Sequence, residues 1–482
     1  MNRPLAAKSA PVVIVGAGFT GLAAAYELAL AGLPVVVLER EAAVGGLASG
    51  FQVGEATLER FYHHWFTNDV HVQELIREIG ESHRVVYRPT RTGMYYANSI
   101  FRLSTPVDLL KFSALSLPGR IRLGLLALRA RGIRDWRSIE HLTAREWLIR
   151  LAGREVFRTV WEPLLIGKFG PYADTIGAVW FWKKLVLRGG SRAPDGREVL
   201  AYYRGGFCEL ALILRRRLEQ MGVAFRLETP AIGIDVREGR AEAVRVPDGR
   251  EPASAVLLTQ PLPLIAEVLA GAAPAEYLAG LRRIQYLANL CLVLELDRSL
   301  SETYWLNVND PSFPFVGVIE HTNFEPPESY DGRRIVYLSK YLPESDPLYG
   351  LSDEALLEFA LPHLQRMFPK FSRSWVQRHH VWRARHAQPV VEPNYGRLIP
   401  GDETPIPNVL ISSMAQIYPE DRGTNYAVRE GRRVGRLMAQ ALRHDAPSSA
   451  DRPAEPGVDV ALRAAGGAEH RRATGGEVRW EA

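Results

Sequence analysis

An α/β fold organised around a dinucleotide-binding βαβ unit is predicted by three observations near the start of the chain. Val12 to Val15 is an apolar run that reads as a buried strand. Gly16, Gly18 and Gly21 supply G-x-G-x-x-G where that strand should turn into a helix, and a second apolar run, Pro34 to Leu38, ends in Glu39. Gly16 permits the tight turn, Gly18 lets backbone amides approach a pyrophosphate at the helix N-terminus, and Gly21 lets the helix pack closely on the strand. Ala17, Phe19 and Thr20 complete the turn. The helix Leu22 to Ala31 stops at Gly32, a C-cap glycine. Glu39, followed by Arg40, stands where a carboxylate accepts hydrogen bonds from the adenosine ribose hydroxyls, and it would repel a 2′-phosphate.

A glycine doublet, Gly45-Gly46, follows shortly after the acid and precedes Leu47, which favours FAD over NAD. With it the chain resembles the superfamily of flavin-containing amine oxidases, protoporphyrinogen oxidases and phytoene desaturases, whose fingerprint runs past the acid into such a doublet. The resemblance implies a Rossmann-like FAD-binding domain of the glutathione-reductase type, interwoven with an α+β substrate domain. Two departures stand out: the family's arginines two residues after the acid and straight after the doublet are here Glu41 and Leu47. Phosphate charge then falls mainly to backbone amides and the helix dipole.

A chain of 482 residues is too long for one core. Residues 11–75, 201–265 and 395–443 are expected to form the FAD-binding domain, 76–200 a mostly helical segment, 266–394 the substrate sheet and 444–482 a disordered tail. Asp69 to Ile79 reads as a helix, Tyr95 to Leu103 as a hairpin strand and Pro106 to Lys184 as mostly helical. Tyr202-Tyr203-Arg204-Gly205-Gly206-Phe207 leads into a helix ending near Gly222. Strands are expected at Val223 to Leu227, Ala231 to Arg237, Ala241 to Val246 and Ala255 to Thr259, then at Leu287 to Leu296, Phe315 to Glu320 and Ile335 to Lys340. The resemblance puts the backbone near Ala231 beside the adenine. The tail, rich in Ala, Pro, Gly, Arg and Glu, has no periodic apolar face with which to order itself.

Asn408 to Leu442 reads as a strand (Val409 to Ser412), a loop and a helix beginning near Thr424 or Asn425. By resemblance this unit brings Gly423, Thr424, Asn425 and Tyr426 to the flavin pyrimidine edge, where a helix dipole stabilises the negative charge of reduced flavin. Ser412-Ser413-Met414 stands where the family has Ala-Gly-Asp, so an expected acidic contact is absent.

Candidate catalytic groups are those that topology returns to the flavin. In Phe61-Tyr62-His63-His64-Trp65 either His63 or His64 could bond the flavin or act as a base, and on a strand the two point opposite ways. Tyr418, Glu420, Asp421 and Arg422 crowd the loop before the flavin-facing helix, either as reacting groups or as an Asp-Arg bridge holding the loop shut. Glu320-His321-Thr322-Asn323 and the segment Trp161 to Gly170, with Lys168, could face substrate, although strand-end capping and a helix C-terminal lysine explain them more simply. Tyr304, Trp305, Tyr337 and Tyr341 read as core aromatics.

A second resemblance, carried by Phe61 to Asp69, the helix after it, Tyr95-Tyr96 and Ser104-Thr105-Pro106, is to the UDP-galactopyranose mutase family, in which reduced flavin attacks a sugar carbon without net oxidation.

Net charge is +5 and the isoelectric point is near 9.1. From Leu115 to Arg134, Arg120, Arg122, Arg129, Arg131 and Arg134 interleave with Ile121, Leu123, Leu125, Leu126 and Leu128. This is either an amphipathic helix packed on its own domain or one lying on a membrane surface. No module for nucleic acid accompanies the charge. Cys208 and Cys291 suggest neither a disulfide framework nor a metal cluster, so no metal is expected. MNRPLAAKSA lacks a signal-peptide core and no apolar run approaches a membrane span, which points to the cytoplasm, with possible contact at the inner membrane face. The expected function is that of a FAD-dependent oxidoreductase taking a hydride from a C–H or C–N bond of an apolar or lipid-linked small molecule. The alternative is a non-redox flavin-dependent sugar mutase. Oligomeric state is left open.

Overall fold

Four consecutive apolar side chains are all buried only in a strand covered on both faces, and Val12–Val15 (β1) is such a strand at the centre of a five-stranded parallel sheet. The computed structural model describes residues 10–102, 106–191 and 197–444. Val35–Leu38 (β2) lies on one side of β1 and Ala255–Leu258 on the other, with Ala224–Arg226 and Val409–Ile411 at the edges. Strand order reverses between β1 and Ala255–Leu258. The crevice at that switch point, where such sheets bind ligands, therefore opens at Gly16. Helix Phe19–Leu30 (α1) begins three residues before the expected Leu22, because Phe19 to Gly21 already form its first turn. Gly32, at φ +76°, ends it in the left-handed conformation.

The second layer is a seven-stranded sheet in the order Val376–Pro389, Tyr286–Leu296, Arg334–Leu342, Gly317–Glu320, Trp305–Val308, Thr92–Tyr96, Ser99–Arg102. Tyr286–Leu296 is buried along ten of its eleven residues, which is why it reads as a continuous apolar run. The single strand expected from Tyr95 is two strands joined at Ala97 and Asn98, whose φ values of +48° and +57° make a hairpin turn. Val376–Pro389 was not foreseen. As an edge strand it carries arginines and histidines on partly solvated faces, so its sequence shows no alternation.

The helices Leu117–Gly132, Ala144–Val156 and Ala178–Gly190 pack on one another and Glu162–Phe169 packs on the seven-stranded sheet, as the helical reading of this stretch required. Ser116 caps the first, accepting from the Gly119 amide at 3.1 Å. That helix buries Gly119, Leu126 and Ala130 and leaves Leu117, Ile121, Leu125 and Leu128 in solvent. The last helix, Thr424–His444, lies across α1 at two glycines: a Cβ on Gly431 would stand 2.2 Å from the Thr20 carbonyl oxygen, and one on Gly435 2.8 Å from that of Ala24. A second unit begins at Ala441 and is described only to His444. Ser104, Thr105 and the expected disordered tail past His444 lie outside the described residues. No described helix is long and apolar enough to cross a membrane.

Candidate active site

The nucleotide end of the crevice is made of main chain. A Cβ on Gly21 would lie 2.0 Å from the Gly16 carbonyl oxygen, and one on Gly16, at φ +108°, would lie 2.5 Å from Thr259 Oγ1. Gly18 differs from both: nothing approaches its Cβ position within 4 Å, so the space in front of it is open. Gly18 is also the N-cap of α1 and has no side chain to satisfy the first amides, Phe19 and Thr20 among them. Those donors and the helix dipole suit a pyrophosphate. Gly45 donates to the Ala17 carbonyl at 2.8 Å, and Gly46 packs on Gly18, leaving Leu47 half-buried behind them.

Glu39 is buried at the end of β2, where its carboxylate accepts from the amides of Ala17 (2.8 Å) and Glu41 (3.0 Å). The main chain at Glu228 and Thr229 donates to the carbonyls of Glu41 and Glu39, which brings the segment leading to Ala231 alongside the acid. Arg40 is exposed and pairs with Glu41 at 3.2 Å. The glycine cradle, the uncapped helix and the buried acid fit the ADP half of FAD.

At the other end, side chains from distant segments meet. Trp65 donates to Thr424 Oγ1 at 2.6 Å, and the Val72 amide donates to Asn425 Oδ1 at 3.1 Å, so the start of the last helix is locked to the segment after the histidines. Gly423 is exposed and Tyr426 lies under the Arg429 guanidinium. His63 Nδ1 stands 2.6 Å from the Phe61 carbonyl oxygen, which can only accept, so Nδ1 carries the proton and Nε2 is left as an acceptor. Burial, helped by the nearby Arg422 guanidinium, pushes the His63 imidazole down to about 4 against the pull of the Phe61 carbonyl. The ring is neutral near pH 7.

Arg422 donates through Nη2 to the Tyr341 hydroxyl at 2.9 Å. Lys168 Nζ sits 4.7 Å from the Tyr341 ring and 5.2 Å from that of Trp180. Burial raises the Tyr341 phenol, but Arg422 and Lys168 outweigh it and leave the group below its usual range. Asp421 is held by Lys184 at 2.6 Å, by the Trp180 indole at 2.9 Å and by Gln388 at 3.4 Å. Burial raises its carboxyl, and Lys184, Lys168 and Arg422 together hold it well below the usual range. Glu420 pairs with Lys183 and Arg429. His63, Tyr62, Lys168 and Arg422 keep accessible surface although Trp180, Phe169 and Tyr337 around them are buried, as side chains facing an open recess do.

Of the candidate residues, His63 and Arg422 come together. His64 turns elsewhere, to the Tyr304 hydroxyl at 3.0 Å and the Trp305 ring, although the pair lies just before strand Trp65–Phe66 and not in it. Tyr418 corrects an expectation: its hydroxyl bonds Glu140 at 3.2 Å and its ring packs on Trp136 and Tyr395, so it ties the loop to the helical segment. The Asp421–Arg422 bridge is also not formed, since Lys184 and Trp180 take up the Asp421 oxygens. Glu320 is buried against Ser299 and the amides of Leu300 and Ser301, and His321 bonds Tyr330, which makes both structural.

Sequence reasoning missed the role of Lys168, read as a helix-terminal lysine, and of Trp180 and Lys184. The signal was present in the i, i+4 spacing of Trp180 and Lys184, which gives helix Ala178–Gly190 one face bearing both an indole and an ammonium. Tyr341, read as a core aromatic, carries a hydroxyl within the cluster.

A glycine cradle at a switch point, a buried ribose acid and a final helix starting beside a neutral histidine define a flavoprotein of the dinucleotide-binding class. The family model for flavin containing amine oxidoreductases matches residues 19–439, and the chain belongs to that family. It is a FAD-dependent oxidoreductase. Mitochondrial protoporphyrinogen oxidase of Nicotiana tabacum is 25% identical over 169 residues, a match that spans 34% of either chain. A structure from Exiguobacterium sp. 255-15, assigned as a protoporphyrinogen oxidase, superposes with a TM-score of 0.71 at 20% identity over 90% of this chain and 99% of its own. Reduced UDP-galactopyranose mutase superposes at 0.67 with 14% identity over 90% and 94%. At those identities the superpositions speak for a shared fold, and membership of the oxidoreductase family does not favour the mutase alternative.

Proposed function

We propose that the protein removes a hydride from a C–H or C–N bond of an extended, largely apolar or lipid-linked substrate gathered at the inner face of a membrane. One observation carries this reading: Leu117, Ile121 and Leu128 on helix Leu117–Gly132 are 65, 59 and 62% exposed and share one face. Exposed Arg122, Arg129 and Arg131 accompany them, and no acidic residue occurs from Leu109 to Arg134. Leucines at the acyl boundary with arginines at anionic headgroups suit such a helix. It is also joined to the recess. The Trp182 indole donates to the Ala130 carbonyl at 2.7 Å, and Trp180, on the same helix as Trp182, reaches Asp421.

FAD, when bound, supplies the two-electron acceptor. The chain's own groups do the rest. The start of helix Thr424–His444 presents a positive dipole end, which favours negative charge nearby. Neutral His63 offers Nε2 to a substrate N–H or O–H, while Tyr62 and Tyr341 wall the recess and Phe169 and Trp180 exclude water. The test is anaerobic titration of the holoenzyme with isoprenoid, amine and lipid-linked donors and with UDP-sugars. Bleaching by an apolar donor without added reductant supports the reading. Sugar interconversion that needs dithionite and consumes no electrons would overturn it.

A further inference from the structure

Asp421, the one carboxylate among the groups described above that is held within the Lys168, Lys184 and Arg422 cluster, has both oxygens engaged: Oδ2 by Lys184, Oδ1 by Trp180 and Gln388. Lys184 also feels the buried carboxylate of Asp69. Lys168 and Arg422 are left over. Among the described residues Lys168 makes no ion pair and is held by aromatic faces, those of Phe169 (5.7 Å), Trp180 (5.2 Å) and Tyr341 (4.7 Å). Arg422 gives one Nη to the Tyr341 hydroxyl, and its Nε is buried with no hydrogen-bond partner. Two cations held against one tyrosine, with a guanidinium donor unsatisfied, are costly to desolvate unless an anion completes them.

The residues also fix which ligand that anion belongs to. Lys168 is carried by helix Glu162–Phe169, whose Gly167 packs on Val316, just before strand Gly317–Glu320 of the substrate sheet, and Tyr341 belongs to strand Arg334–Leu342 of that sheet. Neither borders the glycine crevice that suits a pyrophosphate. Arg422 stands two residues before the helix whose first residues are locked beside Trp65, so the recess lies between the sheet and the flavin-facing helix.

We infer that Lys168 and Arg422, the one against the ring of Tyr341 and the other at its hydroxyl, form an oxyanion site that anchors a carboxylate or phosphate of the substrate beside the flavin. The inference rests on the oxidoreductase reading of the recess and narrows it: the substrate is apolar along its length and anionic at one end. Beyond the bond given to Tyr341 the guanidinium keeps donors for such an oxyanion, and the ammonium adds a second positive charge. The Tyr341 phenol donates once its own hydrogen bond from Arg422 is accepted.

The test uses FAD-loaded protein, with benzoate, phenyl phosphate and uncharged benzamide as probes, followed by the change each makes in the flavin absorbance spectrum. In Lys168→Gln the Kd of the anions should rise at least tenfold while that of benzamide moves less than twofold. Lys168→Arg should stay within about threefold of the parent. Weakening of phenyl phosphate alone assigns a phosphate and of benzoate alone a carboxylate, and either sustains the site. Equal anion affinities in the parent and Lys168→Gln, or benzamide weakened in step with the anions, would overturn it. The two readings fail separately. Anion binding that depends on Lys168 in a protein whose flavin no donor bleaches keeps the site and removes the oxidation. Bleaching by a donor while anion affinities ignore Lys168 does the reverse.

Discussion

The two ends of the crevice are built by opposite means. At the nucleotide end the working groups are amides and carbonyls of one continuous segment, Gly16 to Gly46, with a single side chain, Glu39, added. At the recess they are side chains from five separate elements and loops, spread from His63 through Lys168, Lys184 and Tyr341 to Arg422. A site made of backbone demands that side chains be absent. It binds whatever has the right phosphate geometry, which suits a cofactor common to a whole family. A site made of side chains can be rebuilt one residue at a time, which suits a substrate that differs between relatives.

The sharpest way to separate folding from binding at the first end is to compare two glycines three residues apart. Gly21→Val puts its branch into the Gly16 carbonyl, 2.0 Å from the Cβ, and should prevent soluble, folded protein from accumulating. At Gly18 a Cβ would meet nothing within 4 Å and φ is −73°, open to any residue, so Gly18→Val should fold with unchanged circular dichroism yet carry no flavin. Flavin absorbance per mole of protein decides. A yellow Gly18→Val variant would remove the pyrophosphate from this turn.

The same contrast explains what could be read from the chain. β1, α1 and β2 were legible to within three residues because a glycine turn is a local property and a covered strand must be apolar throughout. The recess was legible only where it touches that local grammar, in His63 and in Arg422 next to the last helix. Lys168 could not be placed because a lysine ending a helix has an adequate local explanation, and only its contacts with Trp180 and Tyr341, from other elements, show that it turns inward. Asp421 and Arg422 adjoin in sequence and yet point to different partners, a matter settled by Lys184 and Tyr341 at 237 and 81 residues' remove. Gly431 and Gly435 were passed over because a small-residue pair gains meaning only when the facing helix is known.

Glu39 tests the one side chain in the backbone-built end. Its carboxylate holds the Ala17 and Glu41 amides and is the group placed for the ribose hydroxyls. Hydrogen bonds to a charged acceptor contribute about 1.5–3 kcal/mol each, so Glu39→Ala should raise the FAD Kd by roughly a hundredfold, measured by reconstitution of the apoprotein. Glu39→Gln, which keeps one acceptor, should fall between. Equal affinities for all three would assign the ribose to another group and make Glu39 a purely structural acid.

The smallest effect belongs to His63 and sharpens the side-chain end, because it reads out burial without any ligand. Its imidazole is pushed down to about 4 when folded, against an ordinary value near 6.5. The unfolded chain therefore takes up the proton first as pH falls, and stability is lost through that window. Between pH 6.5 and pH 5 the loss assignable to His63 is about 2 kcal/mol. Denaturant unfolding of His63→Asn over that range should show a shallower fall by about this amount, with the parent and variant profiles parallel above pH 7.5. His321, pushed down to about 3 by burial, and Glu59, pushed up to about 7, titrate in both proteins and cancel in the difference. Identical slopes from pH 6.5 to pH 5 would mean that His63 is charged in the folded protein. The neutral ring with a bare Nε2, on which its place beside the substrate depends, would then have to be given up.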